Sequence, residues 1–511
     1  MKRVLFAAGT AIALLSAGVA EAAITATGTI DTHAAGVRIA PEIYGQFSEE
    51  LGHGIDGGIW VGPNSPIPNV DGYRKDVLEA LQRLHVPVIR WPGGCYADTY
   101  HWRNGIGPRD KRPVTINYSW GGVEQHNQFG TAEFFNFAEL IGAKTYLSIN
   151  IGSGTPAEAR DWIEYISSPS HSTLADERRA NGRDKPWTVD YVGLGNEMWG
   201  CGGNLKAEEY SPLMRRFATF LHIGPKLIAS GANNRDYHWT EVVMDSAHAI
   251  DGTSLHYYTI PTGNWKHKGS AIGFPESEWA STLEQTRKME ETIEQHEAIM
   301  DKADPEKKVM LAVDEWGTWY DPAPGSNPAF LVQENTLRDA LVAATNFHIF
   351  QRHADRVRMA AIAQTVNVLQ AMIQTDGPQM ALTPTYYAFL MYRPFQGARA
   401  LPVNVTAPDY VYGADKVPAI DVTAARGTDG AIYVGLINSD PHQNADVALA
   451  LDGAKAGAVS GQLLTGAAMD SRNDFGKPEG VHPVPFTGAR WSGGKLEVHM
   501  PSKSVVVLKL Q

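Results

Sequence analysis

The chain has 511 residues, 43% hydrophobic and 20% charged, enough to fill two or three domains around a large core. Its net charge of −12, with no long basic run, argues against nucleic acid and against an anionic membrane surface, both of which favour cationic patches. A neutral sugar polymer stays open, and 13 Trp and 19 Tyr supply flat faces that can stack on sugar rings.

Residues 1–22 read as an export signal: Lys2 and Arg3, a mostly apolar stretch from Val4 to Val19, and the small-x-small triplet Ala20-Glu21-Ala22. That pattern predicts an exported protein, periplasmic or secreted, beginning near Ala23. Gly9, Thr10, Ser16 and Gly18 interrupt the stretch and count against a membrane anchor. No later segment is long and apolar enough to span a bilayer. Within residues 23–39, Ile24 to Ile30 (ITATGTI) alternates and is expected to add a strand to a distant sandwich.

Over residues 40–385, apolar runs alternate with helical patterns, the signature of βαβ units. The expected strands are Ile43 to Ser48, Val86 to Trp91, Thr145 to Ile151, Thr188 to Leu194, Lys226 to Ser230, Gly252 to His256, Val309 to Val313 and Met359 to Thr365. Helical patterns fill the gaps, including Tyr73 to Leu84, Thr131 to Leu140, Glu209 to Leu221, Ser281 to Lys302 and Asn335 to Gln351. Eight repeats predict an α/β fold of the closed (β/α)8 TIM-barrel type. An open doubly wound sheet is the rival, and the lack of GxGxxG after the first strand weakens its dinucleotide-binding form. Over residues 386–511 short alternating strands such as Ile432 to Ile437, Val447 to Leu451 and Ser504 to Leu510 predict an antiparallel, jelly-roll-like β-sandwich.

Strand C-termini of a parallel barrel surround one mouth. Gly195-Asn196-Glu197 and Asp314-Glu315-Trp316 each place a Glu, with a Trp nearby, at the end of a buried-strand run. One such Glu is as readily a helix cap or a surface charge. Two that converge on one mouth form the arrangement that cleaves glycosidic bonds. One carboxyl must carry a proton for the leaving oxygen while the other attacks the anomeric carbon as an anion. The other strand ends offer Glu49-Glu50, Arg90, Asn150, Asn233-Asn234, His256-Tyr257-Tyr258, Trp319, Gln364 and Asn367, an inventory of hydrogen-bonding and stacking groups that suits a sugar. Asn196 is placed to bind a ring hydroxyl, Arg90 to hold the nucleophile ionised, His256 to adjust the acid and Tyr258 to hydrogen-bond the nucleophile. A structural ion pair, a core histidine or simple packing would account for the last three equally. There is no HExxH, and Cys95 and Cys201 lack metal-ligand spacing, so neither metal nor organic cofactor is expected. The two cysteines either pair in an oxidising compartment or stand as buried thiols.

The stretches RWPGGCYADTYHWRNGIGPRDKRP (Arg90 to Pro113), HNQFGTAEFFNFAELIGA (His126 to Ala143), NIGSGTPAEARDWIEY (Asn150 to Tyr165), GLGNEMWGCGGNL (Gly193 to Leu205), SLHYYT (Ser254 to Thr259), VDEWGTWY (Val313 to Tyr320) and AQTVNVLQ (Ala363 to Gln370) resemble glycoside hydrolase family 51, known for α-L-arabinofuranosidases. The resemblance runs from about Ala40 to the C-terminus. It implies a barrel with a C-terminal β-sandwich and a retaining mechanism, with Glu197 as acid/base and Glu315 as nucleophile. It also implies sugar contacts at Glu49, Asn196, Tyr258 and Gln364, Arg90 near the nucleophile, and Trp319 on the pocket wall. The implied reaction releases terminal arabinofuranose from arabinan, arabinoxylan or derived oligosaccharides, and the implied assembly is a homo-oligomer, often a hexamer. An endo-β-1,4-glucanase or β-xylosidase on the same barrel is the alternative. Many members carry Asn where this chain has Cys95, which weakens a sugar contact there and favours pairing with Cys201. The Trp199 to Gly203 loop also departs from the family pattern, on the leaving-group side.

Overall fold

The computed structural model describes residues 23–221, 224–453 and 457–511. The leader read over residues 1–22 lies outside the described residues. Eight parallel strands close into a barrel: Gly45–Phe47, Val88–Trp91, Lys144–Ile149, Tyr191–Leu194, Lys226–Asn233, Gly252–Thr259, Met310–Thr318 and Val357–Ala363. Each pairs in parallel with the next in chain order, and the last pairs with the first. Helices separate the strands. In Lys75–Leu84 the face Val77, Leu78, Leu81 and Leu84 is buried, as the 3.6-residue period requires. Among the described residues no helix is long and apolar enough to cross a membrane.

Strands six and seven run on past the sequence expectation, to Thr259 and Thr318. The pairing shifts register between Ser254 and His256 and again between Val313 and Trp316. An irregularity of this kind re-aims side chains that strict alternation would send to opposite faces. Asp314 and Glu315 therefore both reach the Arg90 guanidinium, while Trp316 points outward, stacked on Phe389 and edge-on to Phe347 and Phe350. Trp316 is fully buried, so this outward anchor pins the segment that carries both carboxylates.

Two sheets pack beyond the barrel. One has six antiparallel strands centred on Ile420–Arg426, Ile432–Asn438 and Ser504–Leu510. The other has five strands and takes in Ile24–Asp31, which lies antiparallel to Val403–Thr406 but parallel to Ala445–Asp452. Helix Leu337–Arg352 lies between barrel and sandwich and is buried on nearly every side. Thr423 donates to Gln351 at 2.7 Å across that joint, and Arg287 and Arg352 both reach Asp421.

Candidate active site

The C-terminal mouth of the barrel holds a narrow pocket lined by Phe47, Glu49, Leu51, Gly94, Cys95, Trp120, Asn196, Glu197, Tyr258, Glu315, Trp319, Leu331, Gln364 and Leu369. Glu197 follows strand four and Glu315 lies within strand seven. One carboxylate oxygen of each, together with a His256 ring nitrogen, fall within 4.8 Å of one another. The two acids thus bracket a single small volume, close to the separation of about 5 Å that a covalent glycosyl-enzyme requires.

Their surroundings differ. Glu315 is 5% exposed. Arg90 Nη1 donates to its Oε1 at 2.9 Å, Tyr258 Oη donates to its Oε2 at 2.8 Å, and His256 Nδ1 stands 3.3 Å from Oε2. Burial raises the Glu315 carboxyl above its ordinary value, and the nearby Glu197 and Asp314 add to that rise. The His256 and Arg90 cations oppose it, and with the Arg90 and Tyr258 donors aimed at its oxygens the ionised form is the one this environment solvates. Burial alone would lower the Arg90 guanidinium, but Asp314 and Glu315 outweigh burial and keep it charged. Its other nitrogens donate to Asn196 Oδ1 at 2.6 Å and Ser148 Oγ at 3.2 Å, so one guanidinium aligns both acid-bearing strand ends.

Glu197 stands at φ 42°, in the left-handed region that a side chain rarely adopts. Its Oε1 lies 2.9 Å from His256 Nδ1, and its Oε2 lies 3.6 Å from Cys201 Sγ. His256 faces Asp314 Oδ1 with its other nitrogen at 3.2 Å. Burial lowers the imidazole, but Glu315, Asp314 and Glu197 overcome it and hold His256 up at about 10, so the ring is a cation at neutral pH. Asp314 is kept below the ordinary carboxylate value despite its burial, by Arg90, His256 and the Tyr146 hydroxyl, which donates at 2.7 Å.

Arg90 and His256 stand behind the carboxylates rather than on the pocket wall. At the far wall, Glu49 accepts from the Tyr96 N–H at 3.0 Å, Trp120 Nε1 at 2.8 Å and Gln364 Nε2 at 3.2 Å. Burial, against those donors, pushes its carboxyl up to about 7. Gln364 Oε1 is buried without a protein partner. Trp319 packs edge-on against Tyr258 with centroids 4.9 Å apart. Cys95 and Cys201 are joined in a disulfide. Several strand-end residues do other work: Asn150 accepts from the N–H groups of Ser153 and Gly154, and Asn367 donates to His53 O. Sequence reasoning missed Trp120, which comes from a hairpin well beyond strand two, and the apolar wall of Phe47, Leu331 and Leu369. It also gave no role to Tyr146, Asp314 or Asp98. An inward-facing apolar alternation in strand one was the available signal for Phe47. Nothing in the local pattern marks Trp120.

Residues 80–271 match the alpha-L-arabinofuranosidase 1 domain, and residues 314–504 match the alpha-L-arabinofuranosidase C-terminal domain. An intracellular exo-alpha-L-arabinofuranosidase of Bacteroides ovatus is 47% identical over 94% of this chain and 95% of its own. The crystal structure of a GH51 arabinofuranosidase from Xanthomonas axonopodis pv. citri aligns with TM-score 0.94 and 51% identity, covering 96% of this chain and 100% of that one. An arabinose complex of the Thermotoga maritima α-L-arabinofuranosidase aligns with TM-score 0.83 and 29% identity, covering 95% and 99%. The intracellular placing of the Bacteroides relative overturns the expectation of a periplasmic or secreted protein. That expectation rested on the pattern of charge and apolarity in residues 1–22 alone.

Proposed function

The chain belongs to glycoside hydrolase family 51, the α-L-arabinofuranosidases, and from that premise we propose how its two carboxylates share the reaction. It is a glycoside hydrolase that releases arabinofuranose, and the glucanase and xylosidase alternatives are not favoured. Glu315 attacks the anomeric carbon of a terminal non-reducing α-L-arabinofuranose while Glu197 gives its proton to the departing oxygen. The carbon–oxygen bond to the leaving sugar breaks and an ester to Glu315 forms. Glu197, now a carboxylate, takes a proton from water as that water attacks the same carbon, releasing arabinose with its configuration retained and restoring both acids. Arg90, Tyr258 and His256 keep Glu315 anionic and aimed, and Asn196 is held by Arg90 where a ring hydroxyl would lie. Glu49 and Gln364 bind hydroxyls at the closed end, and Trp319 and Trp120 flank the ring.

The observation that carries this reading is the pair of carboxylates within 4.8 Å with unlike surroundings. A pocket walled at its far end supports exo action on single terminal sugars, with arabinan, arabinoxylan or their oligosaccharides as sources. Family membership also supports a homo-oligomer, with the hexamer as the form to test. A single-chain mass by light scattering would remove it. Proton NMR of the first sugar released from an arabino-oligosaccharide tests the mechanism. Retained configuration is expected, and inverted arabinose contradicts a nucleophilic Glu315.

A further inference from the structure

The loops after barrel strands two, three and four meet on a buried carboxylate that the reaction above does not use. Asp98 is 3% exposed. Its Oδ1 accepts from the N–H groups of Ile151 at 2.9 Å and Gly152 at 2.8 Å, and its Oδ2 accepts from the Asn196 N–H at 2.9 Å. Its own carbonyl accepts from the Ser153 hydroxyl at 2.8 Å. Among the described residues no cation stands within ion-pair distance of it, so three backbone N–H groups solvate the charge. Burial still pushes the carboxyl up to about 7 against them.

The backbone closes tightly around this carboxylate. A Cβ on Gly152 would stand 2.6 Å from Gly202 O and 2.9 Å from Asp98 Cβ, and one on Gly202 would stand 2.1 Å from Asn196 O and 3.0 Å from Asp98 Oδ2. The Cys95–Cys201 disulfide ties the same two loops, three residues before Asp98 and one before Gly202. Arg90 holds the Asn196 side chain and Asp98 holds its N–H, one residue before Glu197, whose φ of 42° is a conformation that surroundings must hold.

We propose that Asp98 is a positioning residue for the acid/base: by binding the Asn196 N–H it fixes the turn that presents Glu197 to the leaving oxygen. The proposal rests on the reading of Glu197 as proton donor. Glu315 has its own supports in Arg90 and Tyr258, so losing Asp98 should impair proton donation and spare nucleophilic attack. Asp98→Asn keeps the shape but turns an NH2 either toward the Asn196 N–H or toward the Ile151 and Gly152 pair, so that donor faces donor.

A small misplacement of a catalytic group costs up to about 10²-fold. For Asp98→Asn, kcat/KM on an arabino-oligosaccharide, whose leaving group needs a proton, should fall roughly 30-fold or more. On dinitrophenyl arabinofuranoside, whose leaving group needs none, it should stay within about 3-fold, because only proton donation is impaired. Parallel loss on both substrates, or no loss on the first, overturns the proposal. Glu197→Ala serves as control and should show the same split, larger. If the control splits and Asp98→Asn does not, the proposal alone fails. If the control does not split, the acid/base reading falls and takes the proposal with it. Should Asp98→Asn not fold, Ser153→Ala removes the donor to the Asp98 carbonyl, and a smaller split in the same direction is expected. Its absence counts against the proposal.

Discussion

Glu315 and Glu197 reach the same pocket from opposite kinds of scaffold. Glu315 lies inside a nine-residue strand, with Trp316 anchored behind it among aromatic rings. Two cations and a phenol surround its carboxylate. Glu197 stands on a turn in the left-handed region, its side chain 19% exposed, with one ring nitrogen and a disulfide sulfur beside it. The contrast suits the roles proposed for the two groups. A nucleophile must meet one carbon along one line, which a strand and fixed charges secure. An acid/base must exchange its proton with a leaving sugar and then with water, which asks for access and a neighbour able to follow its charge.

The sharpest way to break the comparison is to remove each acid in turn. Glu315→Ala should lose about 10⁴-fold or more in kcat on every arabinofuranoside, whatever the leaving group, because no bond to carbon can form. Glu197→Ala should lose as much as about 10³-fold on oligosaccharides, far less on activated aryl substrates, with azide restoring turnover by replacing the activated water. Equal losses across substrates for both variants would erase the distinction.

A finer probe is Tyr258→Phe, which deletes one hydrogen bond to the Glu315 carboxylate and leaves the ring against Trp319. With its aim loosened, Glu315 should lose up to about 100-fold in kcat, and because a hydrogen bond to a charged group contributes roughly 1.5–3 kcal/mol to stability, the folding midpoint should fall as well.

The last expected effect is on stability rather than on turnover. His256 carries its proton up to about 10 in the folded protein against an ordinary 6.5. Between those values the folded state binds a proton that the unfolded chain does not. The stability this charge gives is therefore whole below pH 6.5 and is lost as pH rises toward 10. Urea unfolding across that window should show a decline for the native protein that is flatter in His256→Gln. An equal slope in both would mean that His256 is not the buried cation the geometry describes.

The barrel was legible because its apolar runs and helical stripes repeat eight times, and each strand end could be read off as a place on one rim. The acids at 197 and 315 were visible as local motifs for the same reason. What escaped lies in contacts that no local period encodes. Trp120 reaches Glu49 from 71 positions away, and Tyr146 meets Asp314 from 168. Strand seven was cut short at Val313, because polar Asp314 and Glu315 break an apolar run that the register shift carries on to Thr318. Asp98 reads as one more polar loop residue until three loops are folded around it. The parallel pairing of Ile24–Asp31 with Ala445–Asp452 joins segments more than 400 residues apart, and alternation alone does not set the direction of such a pair.

One measurement bears most directly on the claim that two unlike carboxylates divide one reaction. Glu197→Ala should be mixed with dinitrophenyl arabinofuranoside, quenched, digested and examined by mass spectrometry. The account predicts a peptide carrying one added anhydropentose on Glu315, because attack proceeds while hydrolysis of the ester lacks its base. A labelled residue other than Glu315, or no covalent species while dinitrophenol is still released in a burst, would contradict it.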